Sequence, residues 1–412
     1  MKRLRQHLEE AKNTHMEHLE DNVLNGGVNG ARESINFLRT IRDALSGRSR
    51  EKVNATVKWD GAPAIFVGKD PSDGKFFVAK KGVFNKTPKV YKTPAEVDAD
   101  TSGDLSDKLK IALRLLKDIK VEGVIQGDFL FTNSDLKTAT VDGVKYITFH
   151  PNTIVYAVPF DSRLGKQLRR SEMGVVWHTS YSGSSFESMR ASYGVNVSRL
   201  GNINKAWMID ADYEDVSGNA LMTANETKQV DKHLALAGRA FRKINGRTLD
   251  SVSDNEDLLG IIKTYHNTHI RAGAEITNPA KHAKGLVQYV IKKEEAKLKT
   301  YKTERGKNGF KEKFAPIKSW VVNTPLQQIT AIFELQMHMV HTKKLIIDKM
   351  NKAAKLKTFL LTRKGFRITG EEGYVAIDRL SGNAVKLVDR LEFSYANFSP
   401  DIIKGWQTDS RR

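Results

Sequence analysis

The chain contains no cysteine. Disulfide staples, zinc fingers, thiolate nucleophiles and iron–sulfur clusters are therefore excluded together. Long apolar runs are also missing. Nothing approaches the roughly 20 residues needed to span a bilayer, and the opening Met1-Lys2-Arg3-Leu4-Arg5 lacks the apolar stretch of a signal peptide. A cytoplasmic protein with no membrane partner is the expectation. Acidic residues are in deficit: 48 Asp and Glu against 67 Lys and Arg leave a formal charge of +19 over 412 residues. The remainder is ordinary for a folded protein, with 40% hydrophobic and 28% charged residues. The length suggests two or three domains and a sizeable core. The positive excess points to a polyanionic partner, nucleic acid before others.

The charge is not spread evenly. Residues 281–320 hold 12 Lys and Arg against four Glu, and residues 341–367 hold nine against one Asp. About +16 of the +19 therefore sits in these two stretches, and the rest of the chain is close to neutral. A single basic run is most simply a solvated helix face. Two neighbouring runs with so little acidic relief favour a surface that tracks phosphates. The predicted nucleic-acid contacts are Lys292, Lys293, Lys297, Lys299, Lys302, Arg305, Lys307, Lys311 and Lys313. Tyr289, Tyr301, Phe310, Phe314 and Trp320 are interleaved with them. Such aromatics stack on bases or pack between helices, and helix packing is the expectation for at least half of them.

Apolar spacing of 3.6 predicts a helix over 1–24, stopped by Asn25-Gly26-Gly27, and a second over about 30–46. From Val53 the period changes to 2. Strands are expected at Val53–Trp59, Ala64–Val67, Lys75–Ala79, Val124–Phe131, Thr153–Phe160 and Gly174–Thr179, with a helix at 105–119 and an Asp142-Gly143 hairpin tip. Residues 186–365 read as largely helical. The clearest helix begins after Asn323-Thr324-Pro325 and continues through Leu326, Phe333, Val340 and Phe359 to Gly365. Strand character returns at Gly373–Ile377 and Ala384–Val388, around a Ser381-Gly382-Asn383 turn. The fold class is therefore α+β. An N-terminal helical segment (1–50) precedes an antiparallel-sheet domain in two parts (51–185 and 366–412), interrupted by a basic helical insertion (186–365).

The sharpest local feature is Val57-Lys58-Trp59-Asp60-Gly61-Ala62-Pro63. A lysine at the end of a buried strand is partly desolvated and becomes a usable nucleophile. Gly61 beside it would let backbone approach a ligand. Alone, Lys-x-Asp-Gly is too short to exclude an ordinary turn lysine. Five further stretches accompany it in order: Phe77-Val78-Ala79-Lys80-Lys81-Gly82, Ile125-Gln126-Gly127-Asp128-Phe129-Leu130, Ile154-Val155-Tyr156-Ala157-Val158-Pro159-Phe160, Glu372-Gly373-Tyr374-Val375-Ala376 and Val385-Lys386-Leu387-Val388. Together the six resemble the ordered motifs of the covalent nucleotidyltransferases, which comprise ATP-dependent DNA and RNA ligases and mRNA capping enzymes. The Glu372 motif is most similar to the form found in viral RNA ligases. The likeness covers about 51–160 and 366–395.

That resemblance implies an antiparallel, ATP-grasp-like ligase domain and an ATP-dependent polynucleotide ligase. The enzyme would seal 3′-hydroxyl and 5′-phosphate ends of DNA or RNA as a monomer, in the host cytoplasm if viral. Lys58 would attack the α-phosphate of ATP to give lysyl-AMP, and Glu372 would hold Mg²⁺ or Mn²⁺. Lys386 would be the fixed cation on the phosphate, Asp128 the ribose contact, and one of Lys80 and Lys81 a further nucleotide contact. Tyr156 or Val158 would pack on the base, while Thr56 and Val57 would offer backbone groups to the adenine edge. The second lysine of the last motif is replaced by Val388, and Arg390 lies on the same face by period 2. Only 22 residues follow Arg390, too few for the C-terminal barrel of DNA ligases, so the basic insertion is expected to grip the strand. The other readings are a different adenylyl or guanylyl transferase and a nucleic-acid-binding protein with a decayed site.

Two other signals are weak. His266/His269 and His338/His341 have helical i, i+3 spacing without a matching third ligand in sequence, so ordinary helix residues are expected. Gly26-Gly27-Val28-Asn29-Gly30 lacks the following Gly-Lys-Ser/Thr of a phosphate loop.

Overall fold

The computed structural model describes residues 18–49, 55–213, 221–354, 356–377 and 384–408. Most of the first expected helix and the turn at 381–383 lie outside them. Within them the chain is a mixed α and β protein with three sheets, antiparallel except for one strand pair.

The sheets follow the apolar alternation of their strands. Strands β2 (Ala64–Lys69), β3 (Phe76–Ala79), β4 (Val124–Thr132), β8 (Met173–Ser182) and β10 (Ala206–Asp210) run in the order β10-β8-β4-β2-β3, with β9 (Arg190–Tyr193) pairing β8. Strands β5 (Lys137–Val141), β6 (Val144–Phe149), β7 (Ile154–Pro159), β11 (Lys357–Thr362) and β12 (Gly365–Thr369) form a second sheet in the order β12-β11-β7-β6-β5. The β5–β6 tip is the expected Asp-Gly turn, with φ of 50° at Asp142 and 77° at Gly143. Between the two sheets lies an apolar layer of Trp59, Leu130, Phe131, Phe149, Tyr156, Val158 and Trp207. Helices α3 (Pro94–Asp100) and α4 (Gly103–Leu115) cover the outer face of the first sheet through Val97, Leu109 and Ala112.

A third sheet is small and joins distant parts of the chain. Strand β1 (Ala55–Lys58) pairs β13 (Gly373–Ile377), which pairs β14 (Ala384–Leu387). Ala55, Tyr374, Ala376 and Leu387 bury one face of it against a helical core. That core includes a short turn α1 (Asn22–Asn25), α2 (Gly27–Leu45) and a continuous helical block: α6 (Ala224–Lys243), α7 (Gly246–Ser253), α8 (Glu256–Arg271), α9 (Pro279–Thr300), α10 (Glu304–Asn323) and α11 (Leu326–Asn351). A further short helix, α5 (Arg163–Leu168), follows β7, and α12 (Arg390–Phe398) follows β14.

Three expectations need correction here. The helical stretch is 224–351 rather than 186–365, because β9 and β10 extend the first sheet and β11 and β12 the second. The last predicted helix stops at Asn351. Phe359 and Leu360 are instead buried in β11, which docks on the free edge of β7 with Phe359 opposite Val155. An apolar run at the end of a helical pattern is ambiguous by period alone, and an available sheet edge decides it. Pro325 also precedes α11 instead of opening it. The N-terminal helix α2 belongs to the helical block, packing on α6 and α7 in the same core.

Candidate functional site

The small sheet positions the candidate nucleophile. Side chains alternate along a strand, so with Ala55 and Val57 turned to the helical core, Thr56 and Lys58 share the other face. Thr56 stands opposite Val375, which stands opposite Lys386. Lys386 is thus on the Lys58 face, two strands from Thr56, roughly 10 Å by strand spacing. Lys58 stands opposite Gly373, whose φ of 151° and contact with Leu387 and Val388 leave no room for a Cβ. The neighbouring Glu372 turns to Lys58, and its Oε1 forms an ion pair with Lys58 Nζ.

Carboxylates crowd around this pair. Asp60 is buried and accepts from Asn152 Nδ2 at 2.6 Å and from the backbone N–H groups of Thr153 and Ile154 at 2.6 and 2.7 Å. Burial raises the Asp60 carboxyl above its ordinary range despite these bonds. Burial also lifts Glu372 to about 7, against the opposing pull of Lys58 and with help from Asp60 and Asp128. Glu371 is lifted by burial to about 8, and its Oε2 accepts no hydrogen bond. The two glutamates and Asp60 line a cavity of about 230 Å³, with Asp348, Asp389 and Glu392 on its other walls. Among the described residues, Lys344 is the one basic residue lining it. Several of these carboxylates are already engaged, Asp389 capping α12 and Glu392 bonding Arg367 and Thr369.

The remaining predicted residues divide. Asp128 comes to the site: it is half-buried on β4, and a Cβ on Gly61 would lie 2.6 Å from its own Cβ. Gly61 is therefore needed for close approach to β4, not to a ligand. Its loop is stitched there by Ala62 N–H to Phe129 O at 2.9 Å. Lys80 is held by Asp100 at 3.2 Å, alongside Lys89 and Tyr91, while Lys81 is exposed at the start of a 3-10 turn.

Three assignments fail on packing. Tyr156 and Val158 are both sealed in the layer between the sheets, Tyr156 stacked on Phe149 and accepting the Asp60 N–H at 2.7 Å, so neither offers a face to a base. The Val57 N–H is already donated to Ala211 O at 2.6 Å, because β1 is flanked on both edges. Arg390 opens helix α12 instead of continuing β14, and it bonds Asp21 and Asn267, each at 2.8 Å. A period-2 argument cannot survive the end of the strand at Leu387, so Arg390 does not replace the missing lysine.

The basic insertion also divides. Lys292, Lys293, Lys297 and Lys299 lie on α9 and Lys302 just after it, while Arg305, Lys307, Lys311 and Lys313 lie on α10. All are exposed except half-buried Lys307, which binds Glu304 at 2.6 Å. The aromatics between them pack on one another, Tyr301 on Phe310 at 5.7 Å and Phe310 on Phe314 at 5.2 Å, with Tyr289 on Tyr265. Trp320 donates to Ser251 Oγ at 2.8 Å. These rings hold the helices together. His338 and His341, expected to be ordinary, meet His233 from α6, the third imidazole that the local spacing did not reveal.

Sequence reasoning missed Asp60 and Glu371 as parts of the site. Glu371 had a signal, being a second acid beside Glu372, but only its burial distinguishes it. Asp60 carries no comparable signal, because its partners at 152–154 are set by the packing of β7.

The arrangement thus defines a mixed α and β protein with a lysine and clustered carboxylates on a small sheet. Residues 13–401 match a family of unknown function, DUF6267, and the chain belongs to that family. No curated protein and no solved structure matches it. Among the described residues, no helix is long and apolar enough to cross a membrane.

Proposed function

We propose that the protein is a covalent nucleotidyltransferase that uses ATP to join polynucleotide ends. The observation that carries this reading is the pairing of Lys58 with Glu372 across β1 and β13, with Lys386 on the same face. The Lys58 stretch and the hairpin that carries Glu372 and Lys386, more than 300 residues apart in sequence, meet in one sheet.

The residues support a sequence of steps. The Lys58 amine attacks the α-phosphorus of ATP, forming an N–P bond and breaking the bond to pyrophosphate. The amine proton passes to Glu372, which touches Nζ and which burial has raised to about 7. Lys386 offers a fixed positive charge to the phosphoryl oxygens. Glu371 Oε2, buried and without a partner, and the oxygens of Glu372 fit a hard cation such as Mg²⁺ or Mn²⁺. When bound, such a cation would neutralise phosphate charge. AMP then moves from Lys58 to a 5′-phosphate, and a 3′-hydroxyl displaces it to close the strand. The exposed cations of α9 and α10 supply the nucleic-acid grip.

Incubation with α-labelled ATP and Mg²⁺ tests the reading. Label is expected on the wild-type chain through an acid-labile bond and is expected to be absent from Lys58→Ala. An unlabelled wild type, or equal labelling of the variant, overturns it. Labelling by GTP but not ATP would replace adenylyl by guanylyl transfer. Nicked DNA, nicked RNA and hybrid duplexes then identify the strand that is sealed.

A further inference from the structure

The helical block contains a cluster that the Lys58 site does not use. His338 and His341 lie one turn apart on α11, and packing of α6 against α11 brings His233 to them. One ligating atom from each ring lies within 4.8 Å of the other two. His233 Nδ1 and His338 Nδ1 are 3.3 Å apart. Nitrogens bound to one tetrahedral zinc at the usual bond length stand about 3.4 Å from each other. One pair is therefore already at coordination distance, and the third ring needs a shift of at most about 1.4 Å, within the reach of χ changes. A hydrogen bond between His233 and His338 accounts for that pair alone. It leaves His341 Nδ1 buried with no hydrogen-bond partner.

The surroundings leave the rings available. Glu334 sits near His338 but is held by Lys243 at 3.1 Å, and Glu275 near His341 is held by Lys344 at 2.6 Å. Lys232 near His233 and Arg239 near His338 add positive charge. Burial lowers all three imidazoles, His338 to about 4, so each keeps a lone pair near neutral pH.

We propose that His233, His338 and His341 bind one divalent transition-metal ion of the zinc class, with a water in the remaining position, and so clamp α6 to α11. Imidazole nitrogen selects zinc, cobalt or nickel over magnesium, which separates this site from the carboxylates around Lys58. The clamp also bears on the acidic cavity. Two to three turns beyond His341, the same helix sends Asp348 and Asn351 into its wall. The proposal is independent of the nucleotidyltransferase reading.

The test uses the full chain without an affinity tag, stripped with chelator, desalted and titrated with Co²⁺ and then Zn²⁺. One Co²⁺ per chain is expected, with the visible absorption of a four-coordinate nitrogen site that Zn²⁺ abolishes and excess Mg²⁺ does not. His233→Gln and His341→Gln, at half-buried positions on the two helices, should each weaken binding by at least about tenfold, the lower end of what even outer-shell changes do. Zn²⁺ should raise the melting temperature of the wild type and not of these variants. Should His338→Gln fail to fold, the other two variants decide. Absence of stoichiometric Co²⁺ binding, or wild-type binding by His233→Gln, overturns the proposal.

Discussion

The two basic stretches look alike in sequence and differ in what their charges meet. Of the cations in 281–320, only Lys307 and Lys318 form ion pairs among the described residues, and the others lie on the outside of the α9–α10 hairpin. In 341–367 five of the described cations are paired with acids from other elements, while Lys357, Arg363 and Lys364 are exposed. Lys343 is buried against Glu20 at 2.6 Å, Lys344 binds Glu275 at 2.6 Å and Asp389 at 3.3 Å, Lys349 and Lys352 share Glu226 at 3.0 Å each, and Arg367 holds Glu392 at 3.2 Å. Net charge counted along a sequence ignores acids that arrive from other elements. The expectation of two phosphate-tracking surfaces therefore rests chiefly on the hairpin. The paired part of the second stretch is structural, binding α11 to the N-terminal turn, to α6 and to the segment around β14.

The largest effect that would break this comparison lies at Lys343. Its side chain is 1% exposed and that of Glu20 is 4% exposed. Lys343→Ala leaves a buried carboxylate with Arg390 at 3.8 Å in place of its close partner and should cost about 3 kcal/mol in the first denaturant transition, while Lys343→Met with Glu20→Gln should recover much of the loss. A loss under about 0.5 kcal/mol for Lys343→Ala would place this lysine with the exposed ones.

A second effect concerns the acid that the inward lysines do not reach. Glu371 has a carboxyl raised to about 8 by burial, above its ordinary value near 4.5. Between those values the folded chain holds a proton that the unfolded chain has released, so stability contributed by the protonated form is present below about pH 4.5 and is lost as pH rises through about 8. Glu371→Gln should remove this dependence, gaining on the wild type by about 1 kcal/mol per pH unit across the window. Melting temperatures measured from pH 5 to 8 check it, and parallel curves for the two proteins would refute it. Mg²⁺, if it binds here, should stabilise the wild type most at the alkaline end.

Legibility in the sequence followed the range of the interaction. Strands β4, β7, β13 and β14 and the Asp142-Gly143 tip were readable because alternation and turn chemistry are local. The return of β13 to the first half of the chain was readable too, since strands on both sides of a helical block require a discontinuous sheet. What local pattern did not show was which edge a strand finds. Phe359 and Leu360 read as helix because the β7 edge that captures them is about 200 residues away. The same reason hid His233 from His338, Ala211 from Val57 and Glu20 from Lys343. Tyr156 was misplaced for a different cause: an alternating strand buried on both faces offers no sequence sign that its aromatic ring points into the core.

The smallest effects in stability carry the finest test of the comparison, because they separate charge that is displayed from charge that is spent. Replacing Lys292, Lys293 and Lys297 by Gln should change stability by no more than about 1 kcal/mol, since all three are exposed and only Lys293 and Lys297 touch a ring, those of Tyr289 and Tyr301. The same changes should weaken polyanion binding. Each lost phosphate contact lowers the slope of log affinity against log salt by about 0.9 for duplex DNA and about 0.7 for a single strand. Lys349→Gln and Lys352→Gln should do the reverse, leaving the salt slope unchanged. They should also remove much of what protects Glu226, held at about 2 by the Thr223 backbone N–H, Lys349 and Lys352. That carboxylate is lowered in the folded state, so its contribution is present above about pH 4.5 and fades as pH falls toward 2. The inward pair should therefore report in an acid melt and the hairpin lysines in a salt titration. A salt slope that falls equally for both sets would mean that the second stretch opens to phosphate when nucleic acid binds.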